Sequence, residues 1–291
     1  MPRLKPLEYS QDRFKRFAFY QNVVRVLDAS KELREGRTSH LYFDWRETIL
    51  RYSSRVITAK FVASFIKKEG IEPTSVVGVP NGSKMLGIEV QSELTELYPH
   101  MVSSDFPFVI AQKPDMTIKF SLSNKLPKKM IIQEDTTKYG LSSMKLALRL
   151  TELGVEEIDV VSLTERNQST PIPGLDSEDA VQRFKQIFKE HSKPQIGYSK
   201  GMSVREAFQS LGIKFHSMSS GIDLYNEYLA RNKGKVGFEI QKLIEKEYEV
   251  FGTKLLFKEQ MRDRIKESEL DFGLSSLLGE RDQTNAKVLP F

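Results

Sequence analysis

The sequence predicts an α/β protein with a central parallel sheet flanked by helices, and three observations carry that prediction. From residue 76 onward, apolar runs of strand length alternate with stretches of ten or more residues at helical period. Polar, glycine-containing turns separate the two. The 291 residues, 39% hydrophobic and 29% charged, can bury a sizeable core in the manner of soluble globular proteins.

The elements follow in chain order. Phe14, Phe17, Tyr20, Val24 and Leu27 recur at three- and four-residue steps and predict an amphipathic helix within 12–33. Glu35-Gly36-Arg37-Thr38-Ser39 then turns into a short strand, Leu41-Tyr42-Phe43. Residues 47–68 return to helical period through Ile49, Val56, Phe61, Val62 and Phe65, and Gly70 ends that helix as a left-handed cap. Residues 76–80 form the first buried strand, followed by a Gly/Ser/Asn turn and a helix from about Met85 to Leu97. Further strands are predicted at 106–111, 130–133 and 158–163, with a helix from Ser143 to Leu153 closed by Gly154. Pro171, Pro173, Gly174, Pro194 and Gly197 break the rhythm, so 169–203 reads as a surface insertion carrying a helical piece at 179–189. The sheet pattern resumes at 213–216. After Arg231 the chain turns rich in Lys and Glu, with Phe238, Leu243, Ile244, Tyr248 and Phe251 at helical spacing. The organisation expected is a domain over 1–230 and a helical C-terminal extension over 231–291, frayed in its last dozen residues.

Composition narrows the chemistry. The absence of cysteine excludes disulfides, zinc–thiolate sites and thiol catalysis. No apolar run has the length of a membrane span, and Met1-Pro2-Arg3-Leu4-Lys5 leads into no apolar signal core, so a cytoplasmic location is expected. The net charge of +5, from 44 basic and 39 acidic residues, is a mild excess without a dense basic block. An anionic small molecule fits it at least as well as nucleic acid.

Ligands of an open parallel sheet sit beyond the carboxyl ends of its strands, and three predicted strand ends carry suggestive residues. The run from Met130 to Ser143 delivers two adjacent carboxylates, Glu134 and Asp135, then hydroxyls and a glycine, directly into a helix. Carboxylates accept hydrogen bonds from sugar hydroxyls, and a helix N-terminus cradles phosphate. An acidic N-cap with Ser142 or Ser143 capping the helix accounts for the same residues equally well. The run Gly78-Val79-Pro80-Asn81-Gly82-Ser83-Lys84 lets backbone amides approach an anion, although a tight strand-to-helix turn alone explains it. Arg166, in Leu163-Thr164-Glu165-Arg166-Asn167, taken singly reads as a surface ion-pairing residue.

Taken together, these segments resemble the orotate phosphoribosyltransferase family of type I phosphoribosyltransferases. Residues 33–46, with Gly36-Arg37-Thr38-Ser39 ahead of Tyr42-Phe43-Asp44-Trp45-Arg46, are similar to the family's Ser-Gly-Arg-x-Ser-Pro stretch and the Asp-x-Arg beyond it. Val76–Gly82 is similar to its Gly-Val-Pro pyrophosphate loop, and Met130–Ser143 to its motif for phosphoribosyl pyrophosphate (PRPP). Glu165-Arg166-Asn167-Gln168 resembles Asp-Arg-x-Gln, and Gly212–Ser217 with Asp223-Leu224 resembles the last strand and helix. The resemblance spans roughly 12–230, interrupted by the insertion.

It implies transfer of phosphoribosyl from PRPP to a pyrimidine base such as orotate, with Mg²⁺ on the diphosphate, in a homodimer. Glu134 and Asp135 would hold the ribose, with Asp135 catalytic. Thr137, Lys138, Gly140, Ser142 and Ser143 would hold the 5′-phosphate. Pro80, Asn81, Gly82 and Ser83 would face the pyrophosphate. Arg34, Tyr42, Phe43 and Arg166 would meet the base. Arg34 stands where the family has lysine, which keeps charge and changes hydrogen-bond geometry. His40 replaces a proline and reads as a local hydrogen-bonding residue, while His100, His191 and His216 lack ligand spacing.

Two segments depart from the family pattern. The phosphate loop reads Lys138-Tyr139-Gly140-Leu141-Ser142 where the family has Thr-Thr/Ala-Gly-Gly/Thr-Ser. The stretch Ala111–Phe120 keeps Lys113 of the family's catalytic lid but not its second lysine or its His/Tyr, leaving Asp115 and Lys119 as candidates. A phosphoribosyltransferase for another base, and a PRPP-binding or regulatory homologue with impaired catalysis, are the alternatives.

Overall fold

The chain begins with a helix, α1 (Gln11–Tyr20), capped by Ser10, whose side chain accepts the Arg13 N–H. In this computed structural model residues 7–32, 38–102, 106–113, 116–120, 125–138, 140–166, 203–232 and 236–249 are described. The predicted helix over 12–33 is shorter than its periodicity suggests. Asn22 adopts a left-handed φ of 54 and ends it, and the Val-rich segment that follows forms β1 (Val24–Glu32), paired antiparallel with β2 (Thr38–Phe43). The β-branched residues favour the strand once the helix has been stopped. The helical region predicted at 47–68 is likewise two helices, α2 (Trp45–Leu50) and α3 (Tyr52–Lys68), because Arg51 is extended, with ψ 120. Gly70, at φ 66, takes the left-handed conformation expected of it.

The alternating part of the chain gives β3 (Ser75–Gly78), α4 (Lys84–Leu97), a 3-10 turn at Pro99–Val102, β4 (Val109–Gln112), β5 (Thr117–Phe120), β6 (Lys129–Thr137), α5 (Leu141–Glu152) and β7 (Glu157–Glu165). After it come α6 (Val204–Ser210), β8 (Lys214–Ser217), α7 (Gly221–Arg231) and α8 (Phe238–Glu249). Six strands form one sheet in the order β5-β4-β3-β6-β7-β8, parallel except that β5 runs antiparallel to β4. The central α/β sheet flanked by helices is as predicted. The β4–β5 hairpin and α6 are additions, and β6 and β7 run further than expected, so Glu134 and Glu165 lie within strands.

Side-chain alternation divides the core between the two faces of the sheet. Val76, Ile131, Val161 and Leu163 pack on one side with Phe14, Trp45, Phe61, Leu86 and Tyr225. Val77, Met130, Ile132, Ile158 and Val160 pack on the other with Met144, Leu148 and Phe208. The helix predicted beyond Arg231 begins with α8, and its Ile244 is fully buried in the first of these clusters. Residues 169–202 of the predicted insertion and the last dozen residues lie outside the described residues. Ser203, at the end of the insertion, opens α6 with a capping box completed by Glu206.

Candidate functional site

The strand order fixes where a ligand belongs. The chain leaves β3 toward β4 on one side, then returns to β6 and proceeds through β7 to β8 on the other, so the order reverses between β3 and β6. Open α/β sheets bind ligands at the carboxyl edge of such a switch point. The two predicted ligand segments, the loop 79–83 and the run 134–143 that completes β6 and opens α5, lie at that edge.

The first loop is held very close to the sheet. The Val79 N–H donates to the Gln133 carbonyl at 2.9 Å and the Ser83 N–H to the Val79 carbonyl at 3.0 Å; the Pro80–Asn81 peptide is cis. A Cβ on Gly78 would lie 2.0 Å from the Ser83 carbonyl oxygen, and one on Gly87 2.4 Å from the Gly78 nitrogen. At Gly82 a Cβ would sit 2.4 Å from Asp135 Oδ2. The missing side chain therefore lets the loop backbone lie against the Asp135 carboxylate. Pro80 and Ser83 are buried while Asn81 is exposed. Asp135 is half-buried, and its Oδ1 accepts the Thr136 N–H at 2.7 Å.

Glu134 is placed differently. On a strand, neighbouring side chains point to opposite faces, and Glu134 follows Met130 and Ile132 toward α5. It is 7% exposed; Ser143 Oγ donates to its Oε2 at 2.7 Å and the Asp135 N–H donates to its Oε1 at 3.3 Å. Burial first, and the Asp135 charge second, push its carboxyl well above the ordinary value. The helix it approaches opens at Gly140, at φ 72, without a side-chain cap. Ser142 and Ser143 thus do not cap α5, which removes that reading of the segment. A Cβ on Gly140 would lie 2.7 Å from the Phe208 ring, so glycine is required there both by φ and by space. The Thr137 hydroxyl is turned inward to Ser162 Oγ at 2.9 Å, and Lys138 is half-buried. Of the residues expected around the phosphate, Gly140 and Ser142 remain at the helix start, whereas Ser143 and Thr137 have hydroxyls occupied within the protein.

The β1–β2 hairpin is tied to the same edge of the sheet. Trp45 Nε1 donates to Thr164 Oγ1 at 2.9 Å, and the Arg166 guanidinium donates from Nη2 to Ser39 Oγ at 2.7 Å and to the Leu41 carbonyl at 3.2 Å. Arg166 is only 4% exposed, so it is an internal tie between β7 and β2 and not a surface ion-pairing residue. Phe43 is buried, its ring against Gly221, which corrects its expected place on a base; Tyr42 is half-buried on the other face of β2. His40 bonds locally, its Nδ1 lying 3.0 Å from the Leu27 carbonyl, and His216 Nε2 lies 2.7 Å from Asp159 Oδ1.

Lys113 and Lys119 are both exposed on the β4–β5 hairpin, Lys113 at its turn and Lys119 within β5 opposite Ile110. The last four residues of the predicted lid, Thr117–Phe120, are therefore an added edge strand. Arg34, Asp115 and Tyr139 lie outside the described residues. Ser39, the acceptor for Arg166, was not singled out from the sequence; it stood inside the resembling segment, but nothing local signalled its partner. Thr136, beside Asp135, was likewise missed, and its Oγ1 is buried without a hydrogen-bond partner.

A doubly wound sheet with a close-packed loop against a strand carboxylate at its switch point, and a hairpin tied to the same edge, is the type I phosphoribosyltransferase fold. Among solved structures the chain is similar to the orotate phosphoribosyltransferase of Francisella tularensis, with a TM-score of 0.52 and 14% identity over 84% of this chain and 98% of that one. It is also similar to Leishmania donovani UMP synthase, with a TM-score of 0.56 and 12% identity over 82% of this chain. The match spans 42% of that longer protein. No protein-family model and no curated protein matches the sequence.

Proposed function

We propose that the protein is a phosphoribosyltransferase that joins a pyrimidine base, orotate foremost, to the ribose of PRPP. The observation that carries this reading is the approach of Gly82 to Asp135 at the β3/β6 switch point, which sets an anion-accommodating loop beside a carboxylate suited to sugar hydroxyls. In the reaction the C1–O bond to diphosphate breaks, a C1–N bond to the base forms, and the base's ring proton is released. An oxocarbenium-like transition state gains most from orientation and from stabilisation of the departing anion. Asp135 accepts hydrogen bonds from the ribose hydroxyls. The N–H groups of the first turn of α5, which have no intrahelical acceptor, take the 5′-phosphate with Gly140, Ser142 and Lys138 around them. Residues 80–83 face the pyrophosphate, Lys113 and Lys119 add positive charge from the hairpin, and Tyr42 forms the base side, with Arg166 buried behind it and holding β2 in place through Ser39 and Leu41.

Among the described residues no three His, Asp or Glu side chains gather into a metal cage. One half-buried carboxylate beside a diphosphate loop nevertheless fits Mg²⁺, which keeps its waters and is held by one or two carboxylates plus substrate phosphates. Carried on the diphosphate, Mg²⁺ would neutralise charge on the departing anion. A homodimer and a cytoplasmic location go with this reading; no described helix is long and apolar enough to cross a membrane.

The test is pyrophosphate release with PRPP and Mg²⁺, comparing orotate with adenine and guanine. Release with orotate alone is expected. Equal rates with the purines remove the pyrimidine assignment, and no rise in melting temperature at millimolar PRPP counts against PRPP binding itself.

A further inference from the structure

We infer that Glu134 is a positioning residue, which through the Ser143 hydroxyl holds the first turn of α5 in place and leaves that turn's N–H groups available to phosphate. The inference rests on the proposed PRPP site and assigns its two adjacent acids to different tasks. Asp135 lies against the loop at Gly82, whereas Glu134, although its carboxyl also comes close to Asp135, is buried beneath the helix with Ser143 on its Oε2.

The way α5 starts supports this division. Helices α1, α6 and α7 begin at Ser10, Ser203 and Ser220, whose side chains accept first-turn N–H groups at Arg13, Glu206 and Asp223. Such a cap fixes a helix end but uses donors that an anion needs. At α5 the cap position is Gly140, which has no side chain to offer. The fixing contact is made instead by the side chain of the third residue, Ser143, donating outward to a carboxyl group anchored on the central strand. The turn is thereby tied to β6 without spending its backbone donors. Glu134 is too deeply buried, at 7% exposure, to share the ribose with Asp135 in this arrangement.

Hydrogen exchange on the full chain without ligand, together with PRPP kinetics, tests the inference. Glu134→Ala and Ser143→Ala should each speed exchange of the hydrogen-bonded amides at 144–147, the first of which donates to the Gly140 carbonyl, and raise the KM for PRPP, with kcat changing far less. The rise should be roughly tenfold, in keeping with loss of one buried hydrogen bond. The double variant should be no worse than either single one, since both remove the same contact. Glu134→Gln, whose amide oxygen still accepts from Ser143, should restore most of the loss. Additive effects of the two alanines, or a Glu134→Gln defect equal to that of Asp135→Asn, overturn the positioning role and place Glu134 on the sugar. Unchanged exchange at 144–147 in Glu134→Ala overturns it without reference to PRPP. Failure of the wild-type protein to bind PRPP removes the substrate reading, while the exchange result still decides whether Glu134 ties the helix.

Discussion

Replacing Asp135 by Asn removes one charge and keeps an oxygen able to accept the Thr136 N–H. Turnover should fall at least about a hundredfold while the melting temperature moves by no more than about 2 °C; an unchanged rate in the pyrophosphate-release assay would move the site elsewhere. Glu134 gives the opposite pattern, a stability effect with a definite pH sign. Its carboxyl titrates above the ordinary 4.5 in the folded protein, chiefly through burial. Below that ordinary value both folded and unfolded chains hold the proton and Glu134 imposes no penalty. As the pH rises from there through the raised folded value, the unfolded chain ionises first and stability is lost. Relative to wild type, Glu134→Gln should gain stability as the pH is raised from about 4 to 7, seen as a widening difference in thermal midpoints. A constant difference across that range would show that Glu134 ionises normally. At this scale the sequence marked two adjacent acids but not that one of them would be buried against Ser143. Adjacent residues on a strand face opposite ways, and that became decisive only once β6 extended through Thr137.

Elements were most legible where period, turn chemistry and glycine agreed. α4, α5, β3 and β7 lie near their predicted positions, and Gly70 and Gly154 both adopt positive φ. They were least legible where one residue redirects a continuing pattern. Val24 and Leu27 keep helical spacing with Phe14 and Phe17, yet left-handed Asn22 separates α1 from β1, and extended Arg51 splits α2 from α3. The β4–β5 hairpin was missed because the four residues of β5 alternate exposed and half-buried at the sheet edge and form no apolar run. The start of α5 offers an element-scale prediction. Gly140 combines φ 72 with a Cβ position 2.7 Å from the Phe208 ring, whereas Gly154, at φ 94, has open space around it. Gly154→Ala should cost about 1 kcal/mol from the backbone alone. Gly140→Ala should cost about 2–3 kcal/mol, because Phe208 must also move. Equal costs in denaturant titrations would mean that α5 can shift away from α6 and that its start is not held as described.

For the whole molecule, the open question of architecture was whether the chain beyond Arg231 is an appendage, and sequence alone separated it at 231 on composition. The Lys/Glu-rich surface of α8 hid an inward face carrying Ile240, Gln241 and Ile244. Phe238 and Leu243 are exposed at 46% each, but Ile244 is fully buried in the cluster that holds Phe14, Trp45 and Tyr225. Helical periodicity identified Ile244 as apolar without showing that β2 and α1 belong to the same core, since that contact joins residues more than two hundred positions apart. The protein's one tryptophan, Trp45, lies in this cluster, stacked on Phe14 with ring centroids 5.3 Å apart. Its fluorescence therefore reports on the core that α8 completes. Ile244→Ala should lower the free energy of unfolding by about 2–4 kcal/mol, with tryptophan fluorescence and far-UV circular dichroism shifting together, because the lost methyl groups belong to the same cooperative unit as Trp45. If the dichroism lost only a minor helical component while the fluorescence transition stayed at its wild-type midpoint, α8 would be a separable appendage. Coincident shifts would make it part of the structure that holds the β1–β2 hairpin, and with it Tyr42 and the Ser39–Arg166 contact, at the edge of the proposed site.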